Sequence, residues 1–321
     1  MRTFKLPILF LIVLLTTGTQ KLFAQKLKHN DPIFLNGVSN MTISGYTING
    51  EAVDCIRLID CKNIHITNCR LINSKRFGIY LYNCSNILID SNYIAKVGAG
   101  VFAQTCPLGQ IRVNNNQMLN MLGTLPYNKD FVQFAEVSGP GNKICYNKLE
   151  NISGQSNPED AINLYKCNGL PDDPITITGN WIRGGGPSTT GSGITVGDQG
   201  GSYQLAQDNI LVNTGFIGMQ VAGGTYIRII NNTIYSDAFP WSHLGLGYGN
   251  YSGKPSTNIT IKGNKVHWLA GWAHDQYKGS KSKEFDMYYH KMPSMPDGLN
   301  ENIFNAPIDP TILPKELIKA F

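Results

Sequence analysis

Beyond its N-terminal segment, the sequence has no stretch approaching eighteen apolar residues, which excludes a conventional membrane-spanning helix there. Charge is also scarce. Asp, Glu, Lys and Arg make up 15% of the 321 residues. The net charge of +5 comes without the interleaved basic and aromatic residues that suit nucleic acid. No CxxC pair is present and no cysteine has a close histidine partner, which argues against a zinc centre. His274 and His290 with Asp275 and Asp286 match no zinc spacing either, so no metal site is expected there. The seven cysteines are an odd number, which is awkward for a disulfide framework. None follows the N-terminal segment closely enough to suggest a lipid anchor.

That segment has Arg2 and Lys5, an apolar run from Leu6 to Leu15, and a polar stretch ending Leu22-Phe23-Ala24-Gln25. The pattern reads as an export signal over residues 1–24, and the mature protein is expected to be secreted or periplasmic.

What the chain has in abundance is a repeat. A short apolar run, two residues, an Asn or its substitute, one residue and an aliphatic recur in Ile66 to Leu71, Ile89 to Ile94, Val113 to Met118, Ile144 to Leu149, Ile177 to Ile182, Ile229 to Ile234 and Ile261 to Val266. Taking Tyr46, Cys69, Asn92, Asn116, Asn147, Asn180, Asn209, Asn232 and Asn264 as one column gives spacings of 23, 23, 24, 31, 33, 29, 23 and 32. A period in the low twenties with insertions marks a solenoid whose coils bury their apolar faces on one another. Ile-x-Ile alternation makes the coils β. The expected fold is all-β: a parallel β-helix of about nine coils over residues 41–267, with residues 25–40 capping one end. Residues 268–321, which abandon the repeat, would cap the other and include a short final helix. Asn at one bend fits because its amide tolerates the left-handed conformation and can bond the next Asn in the stack. Aligned on the apolar pairs, Cys61, Cys84, Cys106 and Cys167 share one offset, and an interior column of thiols is favoured over disulfides.

The same alignment gathers acids on the central coils. Asp130 and Asp160 fall at one position of adjacent coils, with Glu159 beside them, while Glu136, Lys166 and Asp198 alternate in sign at another. Outward strand positions give the row Tyr80, Phe102, Gln133, Asn163, Thr195, Gln220. The three expanded spacings carry insertions at Gly123 to Lys129, Ser153 to Pro158 and Gly184 to Gly191, which would wall a cleft around these acids. Tyr127, Trp181, Arg183, Tyr203, Trp241 and His243 could line it. Carboxylates held near one another have raised pKa values, as a general acid requires.

Glu159-Asp160-Ala161-Ile162-Asn163, Gly191-Ser192-Gly193-Ile194-Thr195-Val196-Gly197 and Gly218-Met219-Gln220-Val221 resemble the central run of the polygalacturonase-type glycoside hydrolases, within the pectin-lyase-like superfamily. The resemblance covers about residues 128–222. It implies a right-handed helix with three strands per coil, and maps Asp130, Glu159 and Asp160 onto the family's catalytic carboxylates. Ser192, Gln220 and Ala222 stand where the family has His, Arg and Lys, so polygalacturonate is not the expected substrate.

Three functions remain open. In a glycoside hydrolase, Glu159 would be the general acid, Asp130 and Asp160 would activate water, and Gln133, Asn163, Lys166, Arg183, Thr195, Gln220 and His243 would hold the polysaccharide. In a polysaccharide lyase, Lys166 and Arg183 would be the actors. A non-catalytic glycan binder would use the flat outward face. No cofactor is required; calcium, if used, would fall at Asp198 or at Asp172 and Asp173. A monomer with a polysaccharide partner is expected.

Overall fold

The computed structural model describes residues 27–127, 129–253, 255–271, 284–287 and 294–319. The expected export signal and His274, Asp275 and His290 lie outside these residues. Each coil contributes a short strand to each of three parallel stacks. The first stack runs through Ile33–Asn36, Ile56–Ile59, the end of Arg70–Tyr82, the end of Tyr93–Gln104, Val132–Ala135, Ile162–Asn168, the start of Ser192–Gln207, Ile217–Val221, Leu244–Tyr248 and Phe285–Met287. These are ten rungs among the described residues, one more than the repeat suggested.

Alternation within each strand turns aliphatics inward. Ile56, Leu58, Ile79, Leu81, Val132, Phe134, Ile162 and Leu164 are fully buried and belong to one continuous core along the axis. Each such side chain contributes roughly 1.5–3 kcal/mol by leaving water. The cysteines behave as expected: all seven are free and buried. Burial pushes the thiols of Cys84 and Cys167 up to about 12, where they are unreactive.

The asparagine column is a hydrogen-bonded ladder. Asn116 Oδ1 accepts from the backbone N–H (3.0 Å) and side-chain amide (3.0 Å) of Asn92, while Asn116 Nδ2 donates to the Ile89 carbonyl (2.9 Å) and to Asn147 Oδ1 (3.0 Å). The pattern repeats through Asn180, Asn209, Asn232 and Asn264 to Asn302. The left-handed residue at this bend is the one before the column, as at Asn68, Ser91, Asn115 and Asn231. Asparagine is therefore required for its hydrogen bonds, and the conformational argument belongs to its neighbour.

Both ends differ from expectation. Lys28–Asn30 and Ile33–Asn36 pair in register with Tyr46–Glu51 and Ile56–Ile59, so residues 28–36 are already coil rather than cap. At the other end Phe285–Met287, Asn302 and Ile303–Phe304 continue the stacks past residue 267. No final α-helix forms among the described residues. Pro310–Ile312 is a single 3-10 turn, and Pro314 disfavours helix in the residue before it. The tail then lies along the third stack, where Leu317 and Ile318 pack with Tyr93, Ala95 and Leu119 and donate their N–H groups to Glu150 Oε2 at 3.1 and 2.9 Å.

Candidate functional site

The three long insertions all occur at one corner, where the third stack turns into the first: after Gln117–Met121, Lys148–Glu150 and Trp181–Arg183. They edge the strands that carry the acids. At this corner glycine is needed where backbones crowd; a Cβ on Gly193 would strike the Gly218 carbonyl and the Leu211 side chain.

Asp130 and Asp160 sit at equivalent positions of adjacent coils, as the alignment placed them. Asp130 Oδ1 accepts from the Asp160 N–H at 2.9 Å, and Asp160 Oδ1 accepts from the Ser192 N–H at 2.6 Å. Both residues are buried, at 4% and 7% exposure. Among the described residues no ion pair reaches either. Burial first, and then the neighbouring Asp160 carboxylate, raises the Asp130 carboxyl well above the usual range. Burial also lifts Asp160 to about 7, opposed by the Asn163 hydrogen bond and reinforced by the Asp198 charge.

Asp198 completes the trio. Asn163 Nδ2 donates to Asp160 Oδ2 at 2.7 Å and to Asp198 Oδ2 at 3.0 Å, so one amide bridges two carboxylates. Asp198 is less enclosed than the other two, and burial still raises its carboxyl. A constant-offset alignment places Asp198 beside Lys166 and away from Asn163. In the structure Asn163 pairs with Thr195, but Tyr165 pairs with Asp198, because the strand Ser192–Gln207 carries an extra residue between Thr195 and Asp198, the first of two register shifts along it. Gly197, with φ 69° inside that strand, marks the bulge. The bulge overturns the alternating row: Gln199 takes the left-handed bend position held by Glu136 and Lys166 in the preceding coils, and Asp198 turns toward the acids.

Glu159 stands on the lip, its Oε1 accepting from Thr190 Oγ1 at 2.6 Å. Gln133, Asn163, Thr195 and Gln220 form an in-register row, as expected. Gln220 Nε2 donates to Ser192 Oγ (2.7 Å) and Thr195 Oγ1 (3.0 Å), whereas Gln133 Oε1 and Asn163 Oδ1 are buried acceptors with no donor among the described residues. An uncompensated buried acceptor is costly, so each is a place where a ligand or water hydrogen bond would be favourable. Lys166 lies with its ammonium 4.9 Å from the Tyr165 ring centre. His243 sits two rungs beyond Gly191 on the Glu159 edge, against Phe216 at 4.8 Å between ring centres.

Arg183 is not part of this site. It lies on the third stack, 3.5 Å from Glu150 and donating to the Pro314 carbonyl, because its strand precedes the corner that the acids follow. Trp181 packs there beside the tail, and Trp241 helps line a cavity of about 380 Å³ between that stack and the tail. Tyr203 stacks on Tyr226, away from the acids.

Residues 15–135 match the sequence profile described as the right handed beta helix region. The chain is a right-handed parallel β-helix. The match ends before Asp160 and Asp198, so it speaks for the fold. No curated protein is significantly similar in sequence. Among solved structures the β-helix is similar to the catalytic unit of a thermostable alpha-1,3-glucanase from Streptomyces thermodiastaticus, at 14% identity and TM-score 0.41, covering 77% of this chain and 52% of that one. It is also similar to the Dettilon tailspike protein, at 14% identity and TM-score 0.46 over 84% and 63% of the two chains. A third is the enzymatically active domain of tailspike protein 2 of bacteriophage CBA120, at 10% identity and TM-score 0.48 over 90% and 49%. The chain thus spans less than two thirds of each of these proteins' length.

Proposed function

We propose that this β-helix is a secreted glycoside hydrolase that cleaves a polysaccharide lying along its first stack. The observation that carries the reading is the Asn163 amide bridging Asp160 and Asp198, with Asp130 behind them and no cation paired to any of the three among the described residues. Hydrolysis of a glycosidic bond needs one carboxylic acid to protonate the leaving oxygen and one carboxylate to activate water or attack. Asp160, lifted to about 7, remains partly protonated at neutral pH and serves as the acid; Asp198, the least enclosed of the three, serves as the base. Asp130 lies behind Asp160 and positions it by accepting from its N–H, while the neighbouring Asp198 and Glu159 charges favour the protonated form of Asp160. Glu159, on the lip, is left to contact substrate rather than to donate the proton.

The lyase reading loses one of its two cations, since Arg183 is committed to Glu150 and Pro314 on another face. A panel of neutral, uronate-containing and sulfated polysaccharides, scored for reducing ends and for ultraviolet absorbance, tests the assignment. The expected outcome is reducing ends without absorbance, reduced about 10²–10⁴-fold in Asp160→Asn and in Asp198→Asn. Activity should fall as pH rises through about 7, where Asp160 gives up its proton. Absorbance matching the reducing ends would establish a lyase, and retention of a glycan without any product would establish a binder.

A further inference from the structure

Three coils upstream of Asn163, on the same outward row, the floor of the first stack changes character. Tyr80 and Phe102 occupy the positions that Gln133 and Asn163 hold further along, and with Phe77 they form an aromatic shelf with ring centres 5.1–5.7 Å apart. Leu125, from the first long insertion, packs against it, and Thr124 Oγ1 donates to the Lys75 carbonyl at 2.7 Å, so that wall reaches back to this point.

Two guanidinium groups converge beside the shelf on a single acid. Asp54, with no side-chain exposure, accepts from Arg57 Nε at 2.6 Å, from Arg76 Nε at 3.1 Å and from the Phe77 N–H at 3.2 Å. Arg57 also lies over Tyr80, 4.8 Å from the ring centre. The side chains of Arg57 and Arg76 keep 31% and 42% of their exposure. Lys75 adds a third cation, whereas the exposed Glu51, three residues before Asp54, is the further acid on that edge and accepts from Asn49. One carboxylate cannot neutralise two guanidiniums, and each arginine retains donors that Asp54 does not use.

We propose that Arg57 and Arg76 on the Tyr80–Phe102 shelf form a subsite for an anionic substituent, a carboxylate or a sulfate, carried by the glycan that passes over Asp160. Rungs stand roughly 4.8 Å apart, a spacing close to the length of one ring in an extended glycan. A chain with its reacting bond at Asp160 and Asp198 therefore sets a ring a few units away on the aromatic shelf, with its substituent toward the arginines. Phe77 and Phe102 are themselves buried, at 6% exposure each, and back the partly exposed Tyr80, whose edge meets the ring while the guanidiniums take the charge. The proposal rests on the acid trio being a glycan-processing site, but its test reads binding alone.

Affinity electrophoresis and titration calorimetry on the whole protein in its Asp160→Asn form, with pectate oligomers and their carboxyl-reduced counterparts and with sulfated galactan oligomers and their desulfated counterparts, separate the two sources of charge. The anionic member of one pair should bind at least about tenfold tighter than its uncharged counterpart. Arg76→Gln should abolish that preference while leaving the uncharged form's binding unchanged, and Arg76→Lys should restore part of it; thermal melts confirm that each variant is folded. Equal binding of charged and uncharged forms, binding of no anionic oligomer, or equal weakening of both forms by Arg76→Gln would overturn the proposal. If anionic preference is present but the unmutated protein cleaves nothing, the subsite stands and the hydrolase reading falls. If neutral glycans are cleaved without anionic preference, the reverse holds.

Discussion

Asp54 and Asp160 occupy the same position of the repeat, four coils apart, and each takes a hydrogen bond from the backbone of the following coil. Their surroundings differ. Asp54 is held by two arginines, whereas Asp160 is enclosed with two other acids and an amide. Its carboxyl is raised from 3.8 to about 7 by burial, so between those values the folded chain keeps a proton that the unfolded chain has lost. Stability attributable to this group is therefore full below about pH 4 and is lost as pH rises through about 7. Asp160→Asn carries no such penalty. Its melting temperature should rise relative to the unmutated protein as pH goes from 4 to 8, and a gap that stays constant across that range would show that Asp160 does not titrate there. The sequence made Asp130 and Asp160 neighbours because their spacing follows the coil. It assigned the acid role to Glu159 because an adjacent pair of acids gives no indication of which side chain turns inward.

At the scale of elements, the asparagine ladder and the bulge at Gly197 show two kinds of legibility. The ladder repeats with the coil, so Asn180 could be placed from spacing alone, and the structure adds what each amide does. Asn180 accepts from the Asn147 N–H and amide at 3.0 and 2.9 Å and donates to the Ile144 carbonyl at 2.8 Å and to Asn209 Oδ1 at 2.9 Å. Asn180→Ala strands several buried groups at once. It should cost on the order of 3 kcal/mol in denaturant unfolding, against a few tenths for an exposed substitution such as Lys148→Ala. The bulge breaks the repeat by one residue and so moves Asp198 from a solvent ladder into the acid cluster. Alignment by constant offset is blind to such a step; a glycine inside a strand is the local signal for it.

For the whole molecule, the parallel β-helix was readable because each coil needs its neighbours to bury the same few positions, and that necessity imprints a period on the chain. The ends were not readable. Residues 28–36, 285–287 and 302–304 join the stacks with little of the pattern, since a terminal coil has a neighbour on one side only and its outer face tolerates other residues. Arg183 was misplaced for a related reason: the period states how far along the axis a residue lies, but not on which of three faces.

The seven buried thiols lend the protein a property apart from glycans. Cys55, Cys61, Cys69, Cys84, Cys106, Cys145 and Cys167 are distributed from the second coil to the sixth and are all single and enclosed. In the folded state a thiol reagent should find none of them. Any coil that opens would show itself by the cysteine it uncovers, so peptide-resolved labelling of the native protein over time reads out the order in which the solenoid unzips. Labelling that begins at Cys55 and Cys61 would locate the fraying at the N-terminal coils, and simultaneous labelling of all seven would show that these coils open as one unit.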